Sequence, residues 1–152
     1  MRRFRIMILM VCFVAIIVWG CNNKSPAQVE YEQSYEAGKA WFGDNCAKCH
    51  KAEGEGVGTL YPPLANSDYL KNNEKMLSCI IKNGLHEELT VNGIQYHWVM
   101  PGNGLIDNIK IAELVTYLRG RWGNEKVKYT YEQVVKDLQA CENKDAKKLF
   151  KP

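Results

Sequence analysis

The residue types and spacing best suited to chemistry stand at Cys46-Ala47-Lys48-Cys49-His50. Two thiols three positions apart, followed directly by an imidazole, make C-x-x-C-H, the pattern that attaches a haem covalently. Each thiol can bond one vinyl group of the same porphyrin. His50 then lies beneath the iron, where a neutral ring nitrogen can bind it. C-x-x-C alone has two other readings, a thioredoxin-like redox pair and half of a zinc site. The first wants a preceding βαβ pattern, which is lacking. The second wants another close pair of Cys or His, whereas Cys79 and Cys141 are isolated and His86 and His97 are too far apart for a tight knuckle. A haem held this way needs three more things: a second axial ligand, an apolar wall and an oxidising compartment.

Met100 is the favoured second ligand. It lies in His97-Trp98-Val99-Met100-Pro101-Gly102, a turn-rich loop outside any helical stripe. A thioether is a suitable sixth ligand and raises the reduction potential. Pro101 restricts Met100 to extended geometry and stiffens the loop. His97 and His86 compete for the role. Met76 shares a helical stripe with Leu77, Ile80 and Ile81 and reads as core. Tyr61-Pro62-Pro63-Leu64 is a rigid extended segment whose prolines donate nothing and whose carbonyls are free to accept. A haem-ligating His needs such an acceptor for its other ring N–H.

The compartment is written at the start of the chain. Met1-Arg2-Arg3-Phe4-Arg5 is a short basic region, and Ile6–Trp19 is an unbroken apolar run of fourteen residues. A membrane span needs about twenty, so the run fits a secretory signal, with an uncleaved anchor as the alternative. Val18-Trp19-Gly20-Cys21 resembles the lipobox of bacterial lipoproteins, although Trp19 replaces the usual small residue. Cleavage there would leave Cys21 lipidated and the protein tethered to a membrane surface. The expected location is therefore the periplasmic side of a bacterial membrane, after export. Losing residues 1–20 removes Arg2, Arg3 and Arg5 from the 20 basic side chains, and the 17 that remain equal the 17 acidic ones. A neutral mature chain gives no basis for nucleic-acid binding. Cys79 and Cys141 are left over; in an oxidising compartment they could pair, or remain as two buried thiols.

The elements that must position these groups follow from periodicity and caps. Residues 1–20 are expected to be signal, 21–33 a flexible tether, 34–124 the folded domain and 125–152 a helical extension. Ser34 is placed as the cap of the first helix, with Tyr35, Gly38 and Phe42 on one face. A mid-helix glycine costs about 1 kcal/mol relative to alanine, so Gly38 implies close approach by another backbone. The helix runs into the haem motif. Residues 51–60 read as a glycine-rich loop, and residues 66–70 as a short helical turn. A helix opening at Asn72 or Asn73 ends at Gly84. Leu89–Tyr96 reads as a hairpin, because Asn92-Gly93 supplies the positive φ angles of a type I′ turn. A further helix runs from Asp107 or Asn108 through Arg119, with Ile111, Leu114, Val115 and Leu118 on its apolar face. Thr130 and Gln133 form a capping box, with Tyr129 and Val134 as a staple, for a last helix reaching Cys141. Residues 144–152 are charged and read as frayed.

Over about Ser34–Asn124 the sequence resembles a class I, monohaem cytochrome c. The likeness rests on Cys46–His50, Tyr61-Pro62-Pro63-Leu64, Val99-Met100-Pro101, and Tyr117-Leu118-Arg119 followed by Trp122-Gly123-Asn124. It implies a mostly α fold whose N- and C-terminal helices cross around one covalent haem c, with a small β-hairpin and here an extra C-terminal helix. It implies that Cys46 and Cys49 bond the haem, and that His50 and Met100 are the axial ligands. Pro62 would supply the carbonyl that accepts from His50, and Leu64 would lie in the haem pocket. Gly38 and Phe42 would cross Leu114 and Tyr117. The function implied is single-electron transfer, without an enzymatic reaction, between redox partners such as an oxidase, a reductase or a dehydrogenase. Two alternatives stay open. One is a dedicated haem subunit of a larger oxidoreductase, docking through the Cys79/Cys141 region or the tail helix. The other is an open-site haem that acts as a peroxidase or gas sensor.

Overall fold

Two helices distant in sequence cross at a glycine, and the rest of the chain is arranged about that crossing. The computed structural model describes residues 24–141 apart from 124, together with residues 3 and 10. Apart from those two residues the signal segment lies outside the described residues, as do the lipid candidate Cys21 and the charged tail at 144–152.

Helix α1 spans Pro26–Asn45, and α2 is the single turn Ala47–His50. Helix α3 covers Asp68–Asn72 and a 3-10 turn covers Glu74–Met76, leading into α4, Leu77–Asn83. Four short strands follow: β1 Gly84–Leu85, β2 Leu89–Val91, β3 Ile94–Tyr96 and β4 Met100–Pro101. Helix α5 spans Asn108–Leu118, continues as a π turn over Arg119–Gly123, and precedes α6, Tyr131–Cys141. The molecule is mostly α with two small antiparallel pairs, as expected of a cytochrome c fold with an added helix.

α1 corrects the expected start. It begins eight residues before Ser34, so residues 26–33 are helix, not tether. Ser25 and Gln28 form a reciprocal capping box and Pro26 stands at the first helical position, where its missing N–H costs nothing. The added turns are covered from far along the chain. Lys128 pairs with Glu30 at 3.2 Å, and Tyr31 and Tyr35 pack on Gly120.

At the crossing, a Cβ on Gly38 would overlap the Glu113 carbonyl and the Tyr117 Cβ. Gly38 therefore lets α1 lie directly on the backbone of α5. Phe42 and Tyr117 sit beside it with ring centroids 5.3 Å apart, and Leu114 is buried in the same core. Asp107 caps α5 by accepting from the Lys110 N–H at 2.9 Å. The hairpin forms where Asn92-Gly93 places it, with φ of 50° and 79°, and Val91 pairs with Ile94. β1 and β4 pair Leu85 with Met100, a link between distant segments that local sequence does not announce. α4 is shorter than expected, because Met76 and its neighbours tighten into 3-10 geometry before Leu77. Gly84 ends it at φ 80°.

The extension belongs to the core. Thr130 and Gln133 make the expected capping box, with bonds of 2.8 and 3.3 Å. Val134 is fully buried and Tyr129 nearly so. Cys79 and Cys141, 62 positions apart, are joined by a disulfide that ties α6 to α4. Ser78 donates to Asp137 at 2.8 Å, and Tyr129 also donates to that carboxylate. Val134 and Cys141 on the apolar side of α6 are thus buried against the core.

Candidate functional site

α1 ends by delivering its last turn directly into the reactive pentapeptide. Cys46 caps α1 and starts α2, so both thiols and His50 ride on one short helical turn whose position is set by the α1–α5 crossing. The chain then reverses through Lys51, at φ 64°, into the glycine loop. Gly56 donates its N–H to the His50 carbonyl at 3.0 Å. Gly54 accepts from Leu64 and Ala65 at 2.7 and 2.9 Å. A Cβ on Gly56 would overlap the Tyr61 carbonyl and Pro62, so only glycine allows the loop to fold back so closely. This closure carries Pro62 to His50, where the ring Nδ1 lies 2.9 Å from the Pro62 carbonyl oxygen. A carbonyl can only accept, so Nδ1 carries the proton and Nε2 keeps its lone pair.

Cys46, Cys49 and His50 line one cavity together with Pro62, Leu64 and Met100. The cavity holds about 970 Å³ of space including its open mouth. α4 supplies Leu77, Ile80 and Ile81, and α5 supplies Leu114 and Leu118. Residues that read as a core stripe are thus also the wall of the cavity. Among the described residues no Lys, Arg, Asp or Glu lines it. Its mouth carries Trp98 at 62% exposure, Val99 at 53% and Leu60 at 36%. Nothing in their local pattern marks these three as a rim, although Trp98 and Val99 directly precede Met100.

Burial pushes the Cys46 thiol up to about 11, helped by the neighbouring Cys49. Such a thiol is protonated at neutral pH and suits neither a thiolate nucleophile nor a zinc ligand. Burial lowers the His50 pKa, opposed by the Pro62 hydrogen bond, so the imidazole is neutral, the form that binds metal. Among the described residues no group of three or more His, Cys, Asp or Glu could hold a metal ion. His86 and His97 do not line the cavity. His86 faces the Asn83 carbonyl at 3.2 Å, and His97 pairs with Glu88 at 2.8 Å. Met76 does not line it either, whereas Met100, held on β4, does.

These donors fit a porphyrin. Two thiols and a neutral imidazole meet an apolar chamber that also holds a thioether. A bare metal ion would find too few ligands, and a polar substrate would find no charged partner.

Comparisons with known proteins agree. The cytochrome c family profile matches residues 35–122. Two forms of cytochrome c-552 from Thermus thermophilus are 30% identical over 100 residues, 60% of this chain and 76% or 68% of theirs. The cytochrome c subunit of a quinone alcohol dehydrogenase from Gluconobacter oxydans is 34% identical over 91 residues, 58% of this chain but only 19% of that subunit. Fold, cavity and relatives converge: the chain belongs to the cytochrome c family as a class I monohaem member, an electron-transfer protein whose cofactor is one covalently attached haem c.

Proposed function

We propose that this chain is a lipid-tethered single-electron carrier whose haem is bonded by Cys46 and Cys49 and held axially by His50 and Met100. The observation that carries this reading is the contact between His50 Nδ1 and the Pro62 carbonyl at 2.9 Å. It fixes the tautomer, reserves Nε2 for iron and strengthens the imidazole as a donor. Haem c supplies a one-electron Fe(III)/Fe(II) couple. The chain's own part is to exclude water with the walls of α4 and α5, and His50 and Met100 would both hold the iron. With both bound, no open position would remain on the iron for a substrate. The apolar mouth at Leu60, Trp98 and Val99 is where an oxidase, reductase or dehydrogenase partner would close on the haem edge.

In this reading Cys21 carries the lipid after export, on the periplasmic side of a bacterial membrane. Only residues 22–25 separate Cys21 from Pro26 at the start of α1. Five steps of at most about 3.6 Å give a reach of about 18 Å, so the domain would stay close to the bilayer. A second reading, a dedicated haem subunit of a larger oxidoreductase, is favoured by the likeness to the Gluconobacter dehydrogenase subunit. Co-purification of a fixed partner from native membranes separates the two.

The test is the visible spectrum of the holoprotein beside Met100→Ala. The carrier reading expects low-spin haem in both oxidation states, and loss of the Met–Fe band with a lowered potential in the variant. A high-spin wild type would overturn this reading in favour of the open-site alternative, and a variant with unchanged spectrum and potential would overturn the assignment of Met100.

A further inference from the structure

We infer that Trp122 is a positioning residue for the His50–Pro62 hydrogen bond and thereby sets the reduction potential; this rests on His50 as an iron ligand. The π turn at the end of α5 brings Trp122 against the glycine loop. A Cβ on Gly54 would overlap the Cζ2, Cε2 and Cη2 atoms of the Trp122 ring, so the indole is in close contact with that backbone. Gly54 is the hub of the loop. Its carbonyl takes the N–H groups of Leu64 and Ala65, and its own N–H reaches the Lys51 carbonyl at 3.1 Å. Both ends of the loop return to His50, one through Gly56 to the His50 carbonyl and the other through Pro62 to its ring. Arg121 beside Trp122 pairs with Glu53 beside Gly54, which adds an exposed clasp at the same place.

Trp122 is itself held from behind. Its ring meets Phe42 and Tyr117 edge-on, with centroids 5.3 and 5.7 Å away. Phe42 and Tyr117 belong to the α1–α5 crossing. A rigid path therefore runs from the helix crossing through Trp122 and Gly54 to the Pro62 carbonyl. Truncating Trp122 opens a void behind Gly54, and a void is filled in part by movement of its lining. The loop is the lining that can move. The Pro62 carbonyl then accepts a weaker bond, His50 donates less strongly to iron, the ferric state loses more than the ferrous, and the potential rises.

The experiment uses holoprotein of the wild type, Trp122→Ala, Trp122→Phe and the control Val134→Ala. Val134 is fully buried, more deeply than the half-buried Trp122, but sits in α6. Redox titration and hydrogen exchange of the His50 Nδ1–H by NMR in the ferrous state are both read. Trp122→Ala is expected to shift the Fe(III)/Fe(II) equilibrium at least roughly threefold toward Fe(II), about 28 mV at 59 mV per tenfold, and to speed exchange about tenfold. Trp122→Phe keeps the aromatic core filled and is expected to shift both in the same direction by less. It carries the test if the alanine variant fails to take up haem. Val134→Ala should lose stability and move neither readout. Unchanged potential and exchange in the Trp122 variants, or equal shifts in the control, would overturn the inference. A wild type lacking low-spin, His-ligated haem would instead refute the ligation reading itself.

Discussion

Gly38→Ala is expected to destabilise the protein although it raises the helix propensity of α1. In an isolated helix the change is worth roughly 0.5–1 kcal/mol in favour of alanine. In the folded chain the new Cβ would overlap the Glu113 carbonyl carbon and oxygen and the Tyr117 Cβ. Two of those three atoms are backbone and cannot rotate away, so α1 and α5 must separate. Overpacking of this kind costs about 1–3 kcal/mol, and a backbone clash belongs at the upper end. The net loss is then about 2 kcal/mol. Gly43, in the same helix, has nothing within 4 Å of where its Cβ would be. Gly43→Ala should therefore gain the propensity term undiluted, roughly 0.5–1 kcal/mol. The assay is thermal unfolding of both holoproteins followed by far-UV dichroism and Soret absorbance. At roughly 4 °C per kcal/mol for a domain of this size, Gly38→Ala should lose about 8 °C and Gly43→Ala gain about 3 °C. Two alanine variants shifting together in either direction would refute the reasoning, because propensity alone predicts no difference between them.

Removing the link between α4 and α6 with Cys141→Ser should cost about 4 kcal/mol, from the entropy of a loop closed over 62 residues, read as a lower urea midpoint. The Tyr129 phenol is held above its ordinary range by burial, and then by its bond to Asp137. A raised folded pKa stabilises fully below the unfolded value of about 10 and is lost as pH rises beyond it. Stability should therefore fall above about pH 10, and Tyr129→Phe should flatten that fall; an unchanged slope in the variant would show that another group is responsible.

Much of this architecture is legible in short-range signals. Asn92-Gly93 dictates its turn because few residues tolerate two positive φ values. Thr130 and Gln133 satisfy each other's backbone across three positions. Gly38 points to a close crossing because it lies between Tyr35 and Phe42 on the apolar face of the helix, whereas Gly43 lies on the exposed side. The pentapeptide at Cys46 carries its chemistry in its spacing. What stayed hidden depends on distant partners. Ser25 and Gln28 already spelled a helix start, but the polar residues after them suggested a tether. The contacts that stabilise those turns come from Lys128 and Gly120. The pairing of Cys79 with Cys141 depends on α6 lying across α4, and the contact of Trp122 with Gly54 on a π turn. Neither leaves a periodic trace.

The central claim is that one porphyrin joins Cys46 and Cys49, and trypsin can test it directly. Cleavage after Lys39, Lys48 and Lys51 puts the two cysteines on separate peptides, Ala40–Lys48 and Cys49–Lys51. Mass spectrometry of digested holoprotein, made in a host that matures c-type cytochromes, should find both peptides together on a single haem. Recovery of the two peptides apart, each with an alkylatable thiol, would contradict the account.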